Sequence, residues 1–178
     1  MSEFSVARRA AVWVLPLESG GCGATLQSIY ALQAPRYAAE VRAAGVSFAR
    51  SPRHADIVLI AGPLSQAARE PFARMLAAVP QPRALVAVGN CAIDGCVFAA
   101  SPHITPHPAE ELDAHVEVGG CPPAPSAILA AIVEAKRLLA GQDDTEDESE
   151  VDEVDEDEED ESAEAVTSEA AAGEDDER

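Results

Sequence analysis

Three short, unbroken apolar runs each lead directly into a glycine turn. They are AAVWVLPL (Ala10–Leu17) before ESGGCGAT, DIVLIA (Asp56–Ala61) before Gly62 and Pro63, and ALVAV (Ala84–Val88) before Gly89. A run with no polar alternation marks a strand buried on both faces, and such strands occur almost only in parallel sheets covered by helices. Val46–Ala49 and His115–Val118 read as two shorter strands. Between the strands lie helical spacings. Leu26, Ile29, Tyr30 and Gln33 follow the first glycine turn. Phe72, Met75, Leu76 and Val79 form the buried stripe of a helix expected to begin near Pro71 and to stop at Pro80 and Pro82. Ile128, Ala131, Ile132, Ala135 and Leu139 form another stripe after Pro125. Strands alternating with helices across short connections predict a three-layer α/β domain with a mainly parallel sheet. Residues 99–114, rich in proline, histidine and acids without a period, are expected as a surface loop.

Charge divides the chain in two. Residues 141–178 carry 21 of the 32 Asp and Glu but one of the 12 Lys and Arg, so the net charge of −20 belongs to that tail. Residues 1–140 are neutral and long enough for one domain with a proper core. The tail has no hydrophobic period with which to offset the entropy of ordering, and is expected to be disordered. Basic residues are scattered and aromatics few, which leaves no nucleic-acid footprint. The first apolar run is too short to span a bilayer and lacks the layout of a signal peptide. A cytoplasmic protein is expected, without a membrane span of its own.

All four cysteines lie in loops after strands: Cys22 in the first glycine turn, Cys91 and Cys96 after Ala84–Val88, and Cys121 in GGCPPAP (Gly119–Pro125). Carboxyl ends of parallel strands share one sheet edge, so these loops converge there. In the cytoplasm, four such thiols favour metal ligation over disulfides. Four thiolates suit zinc or a [4Fe–4S] cluster, and the spacing lacks the paired CxxC motifs of a zinc ribbon. A nucleotide or flavin on the Gly20–Gly23 turn is a weaker alternative, because GGCGAT fits neither GxGxxG nor a P-loop.

Read in order, SGGCGATLQSIYALQAPRY (19–37), SPRHADIVLIAGP (51–63), VAVGNCAIDGCVF (86–98) and VGGCPPAPSAIL (118–129) resemble a known family. It is the small electron-transfer subunit family shared by respiratory complex I, where it is the 20-kDa subunit, and by membrane-bound [NiFe] hydrogenase or formate hydrogenlyase. The resemblance implies a flavodoxin-like fold and one [4Fe–4S] cluster. It also implies a large catalytic subunit as partner, with membrane subunits reached through the complex. The location implied is peripheral to the inner membrane. Cys22 matches the first cysteine of the family's CxGC motif, Cys91 that of GxCA, and Cys121 that of GCPP. The family's second CxGC cysteine falls on Thr25 and its following acid on Ser28, while Ala124 and Ser126 stand where GCPP is usually followed by Arg and Glu. Cys96 occupies the second position of a glycine pair.

Two readings follow. In one, Cys22, Cys91, Cys96 and Cys121 together hold the cluster, and the chain passes electrons without a catalytic residue of its own. In the other, the chain is a scaffold subunit that has lost normal cluster binding. The resemblance also places Arg53 and His54 near the cluster edge, where they would raise its potential, unless Arg53 simply pairs with Asp56. His103, His107 and His115 are expected to be solvated loop residues.

Overall fold

A computed structural model of the chain describes residues 11–149. Five strands form one sheet: β1 (Val12–Glu18), β2 (Val46–Phe48), β3 (Ile57–Ala61), β4 (Ala84–Val88) and β5 (Val116–Val118). All neighbours are parallel, in the order β2-β1-β3-β4-β5, with Val14 opposite Ile57, Ile57 opposite Ala84 and Val86 opposite Val116. This is the flavodoxin-like strand order of a doubly wound sheet. β3 and β4 are buried along their whole length, as their uninterrupted apolar runs require.

Period-two alternation splits the core between the two faces. On one face Val12, Val14, Ile57, Leu59 and Val86 pack against Ile29 and Leu32 and against Ile128, Ile132 and Ala135. The first pair belongs to and follows helix α1 (Ala24–Ala31), and the second group lies on α6 (Pro125–Ser149). A short α2 (Ala38–Ala43) buries Val41 on the same side. On the other face Leu15, Leu17, Val58, Ile60 and Leu85 meet Phe72 and Leu76 of α3 (Gln66–Ala77).

That second face is only partly covered. The chain crosses from β2 to β3 through a single 3-10 turn, Pro52–His54, in place of a helix. Trp13, expected to be buried with the rest of its strand, is therefore 49% exposed. It borders an open cavity of about 540 Å³ with Phe48, Ala49, Arg50 and His54.

Several local expectations need correction. Helix α3 starts at Gln66, not near Pro71, because the Ser65 side chain accepts the Ala68 N–H at 3.2 Å and caps it there. Pro71 sits inside the helix and forgoes one backbone bond, while Phe72 and Leu76 keep their buried stripe. Met75 is exposed rather than buried. The helix ends at Ala77, and Arg83 then donates to the carbonyls of Leu76 and Val79 at 2.5 and 3.2 Å.

Residues 99–114 are more than a surface loop. Thr105 N–H donates to Leu64 C=O at 2.8 Å, and Gln66 N–H donates to His103 C=O at 2.9 Å. A short helix α5 (Pro108–Glu111) buries Pro108 and Ala109, and Glu111 pairs with Arg69 of α3. At the other end of the chain α6 continues past Ala140 to Ser149, while residues 150–178 of the expected tail lie outside the described residues.

Candidate functional site

The parallel order aligns the carboxyl ends of β1, β3, β4 and β5 along one edge, and the loops leaving three of them carry the four cysteines. Cys22 lies between β1 and α1, and Cys121 between β5 and α6. Cys91 is in the first turn of α4 (Asn90–Asp94), and Cys96 follows Gly95, the left-handed residue that ends α4. Cys22 and Cys121 are exposed, Cys91 and Cys96 half-buried, and all four are free thiols.

Close backbone contacts hold these loops together. Gly62, just beyond β3, has φ of +83°, and a β-carbon there would stand 1.8 Å from the Gly20 carbonyl oxygen. Only glycine lets the β1 loop lie so near the β3 loop. The buried Ser19 hydroxyl spans the same gap, 3.1 Å from the carbonyls of Ala61 and Gly62. Beyond β4, Gly89 N–H donates to Val118 C=O at 2.7 Å and Asn90 N–H to Gly120 C=O at 3.0 Å. Asn90 Oδ1 in turn accepts the Gly120 N–H at 2.6 Å. Cys96 takes the left-handed φ of +48°, with its N–H donating to Asp94 Oδ1 at 2.8 Å.

The sulfurs act on one another. Burial pushes the Cys91 thiol up to about 11, and repulsion from Cys96, Cys121 and Cys22 adds to the rise. Among the described residues, no group of three or more His, Cys, Asp or Glu is close enough to hold a single metal ion. One tetrahedral zinc would draw its sulfurs to about 3.8 Å of each other, given Zn–S bonds of about 2.3 Å. A cubane cluster offers each thiolate its own iron and accepts a wider arrangement. The donor set on this edge, four thiols and no histidine or carboxylate among them, is of the number and softness that a cubane cluster takes.

Other candidates lie elsewhere. Arg53 and His54 sit at the amino end of β3, so the whole strand, about 17 Å at 3.3 Å per residue, separates them from the cysteine edge. The expectation that they border the cluster is corrected by the parallel direction of β3. His115 braces the β4–β5 pair, its Nδ1 accepting the Leu85 N–H at 3.2 Å. His103 and His107 are exposed. Asn90 is the site residue that sequence reading missed. Its one signal is a short polar side chain immediately before Cys91.

Comparison with known proteins agrees with this geometry. The family model described as NADH ubiquinone oxidoreductase, 20 Kd subunit, matches residues 20–135. A probable membrane-bound hydrogenase subunit, mbhJ, of Pyrococcus furiosus is 38% identical over 128 residues, covering 72% of this chain and 75% of that one. Formate hydrogenlyase subunit 7 of Escherichia coli is 31% identical over 138 residues, 74% of this chain and 51% of its own. A chain of the archaeal membrane-bound sulfane sulfur reductase, a respiratory membrane complex, superposes with a TM-score of 0.65 at 22% identity, covering 78% and 75% of the two chains. That last likeness supports the fold.

Proposed function

This chain belongs to the NADH ubiquinone oxidoreductase 20 kDa subunit family, and from that premise we propose that it is an electron-transfer subunit of a hydrogenase-type or quinone-reductase-type oxidoreductase, with one [4Fe–4S] cluster on Cys22, Cys91, Cys96 and Cys121. The observation that carries this reading is the placement of all four free cysteines in loops that leave the carboxyl ends of β1, β4 and β5, on one edge of the sheet. When bound, the cluster supplies one-electron transfer. In this reading Cys96 stands in for the family cysteine replaced by Thr25, on a loop that leaves the same sheet edge as the other three. Cys91 must lose its proton to become a ligand, so loading releases protons and is favoured by mildly alkaline solution.

Cys22 and Cys121 open to solvent, and in this reading a large catalytic subunit covers them and excludes water from the site. No described helix is long and apolar enough to cross a membrane. The proposed location is the cytoplasmic side of a membrane, reached through the complex. Residues 1–140 form the proposed cluster domain and residues 141–178 an acidic tail.

Anaerobic reconstitution of the full chain tests the reading directly. It should bind about four iron and four sulfide per chain and show a cubane spectrum on reduction. Stoichiometric zinc, or no metal at all, overturns it.

A second reading, a scaffold subunit that has lost its cluster, draws on one observation. Thr25 stands at a family ligand position, and a hydroxyl is a harder and less acidic donor than a thiol. Failure of wild type to bind iron, with gain of iron by Thr25→Cys, selects this reading over the first.

A further inference from the structure

The β4–β5 ladder ends at Val88 opposite Val118, and Gly89 N–H to Val118 C=O is its last strand-like bond. Beyond it the chain after β4 turns into α4 and can no longer offer a backbone carbonyl to β5. Asn90 fills that role with its side chain. Its N–H donates to Gly120 C=O at 3.0 Å, and its Oδ1 accepts the Gly120 N–H at 2.6 Å. Two residues thirty positions apart are closed into a reciprocal pair. Asn90 immediately precedes Cys91, and Gly120 immediately precedes Cys121.

We propose that Asn90 is a positioning residue that sets the separation of the Cys91 and Cys121 thiols. The role of those thiols as cluster ligands rests on the reading above, whereas the clamp itself is a property of the metal-free chain. An amide suits the position because it accepts the bond without adding charge. Aspartate would keep the acceptor but put a negative charge beside the sulfurs, which would lower the potential of a bound cluster.

The test uses the full chain, cluster-free and reduced, with dibromobimane, a reagent that bridges two nearby thiols. Peptide mapping then gives the ratio of Cys91–Cys121 to Cys91–Cys96 bridges. The second bridge lies within one loop and serves as an internal control. Asn90→Ala should lower the ratio by about tenfold, the effect expected of one hydrogen bond. Asn90→Asp should preserve it. Asn90→Ser, whose side chain is too short to span the gap, should behave as Ala and replaces it if Ala fails to fold. An unchanged ratio in Ala or Ser, or an Asp ratio as low as theirs, overturns the proposal.

A second measurement is made after anaerobic reconstitution. Asn90→Asp should retain iron and shift the reduction potential downward, whereas a retained cluster at the wild-type potential argues against Asn90 lying beside it. Should wild type bind no iron and sulfide, the cluster reading fails, and the bridge ratio alone still decides the role of Asn90.

Discussion

Thr25 turns its hydroxyl onto Gly89, so that a β-carbon built on Gly89 would stand 2.8 Å from Thr25 Oγ1. The contact joins the first turn of α1 to the end of β4, one residue before the Asn90 clamp and two before Cys91. Thr25, where the resemblance implies a cysteine, is thus packed against the backbone that leads into the candidate site.

Gly89→Ala is expected to destabilise the chain by about 2–4 kcal/mol. Gly89 is buried with φ of +87°, and the added methyl group meets both Thr25 Oγ1 and, at 3.3 Å, the Gly120 carbonyl. Urea denaturation measures the loss. Thr25→Ala in the same chain should recover part of it, because one of the two clashes disappears. Full additivity of the two substitutions would mean that they do not touch.

Cys96 and Thr25 are expected to trade places as ligands. Cys96→Ser should lose most of its iron after reconstitution, and Thr25→Cys in the same chain should regain it, since the new thiol enters on the turn that faces Gly89. Iron content and electron paramagnetic resonance read the outcome. A full cluster in Cys96→Ser would falsify the ligand role of Cys96.

Cys91 gives the metal-free chain a pH dependence. Its folded-state value is raised from 9.0 to about 11, so folding favours the neutral thiol. The contribution is fully present below pH 9 and is lost as pH rises towards 11. Stability measured across that window should fall more in wild type than in Cys91→Ser. Alkylation of the native chain at pH 8 should reach Cys91 last, because the thiolate is the reactive form. Equal loss of stability in both chains would show that Cys91 does not set the dependence.

Arg83 secures the end of α3 through Leu76 and Val79. Arg83→Ala should cost about 1–2 kcal/mol, the usual worth of hydrogen bonds from a charged donor to half-buried carbonyls. Thermal melting measures it. The iron content of a reconstituted chain should stay unchanged, since this end of α3 lies away from the cysteine edge.

Local chemistry made the strands and the cysteine loops legible. DIVLIA and ALVAV have no polar residue to expose, and both are buried strands. Helix α3 was harder to delimit, because Pro71 is a good first-turn residue in isolation. The Ser65 cap and the strap through His103 and Thr105 decided its start, and that strap comes from some forty residues further along the chain. Trp13 escapes burial for a related reason. Its strand is apolar throughout, but the β2–β3 crossover supplies a 3-10 turn where burial would need a helix.

By itself the sequence determined the parallel sheet, the helices that flank it and the loops that carry Cys22, Cys91, Cys96 and Cys121. Each follows from a hydrophobic period or a glycine turn written within a dozen neighbouring residues. Only the tertiary structure decided that Thr25 packs on Gly89, that Asn90 closes on Gly120, and that Arg53 and His54 sit at the far end of β3. These relationships depend on strand order and direction. A side chain one step beyond a strand finds its partner only once the neighbouring strand is in place, and no local pattern encodes which strand that is.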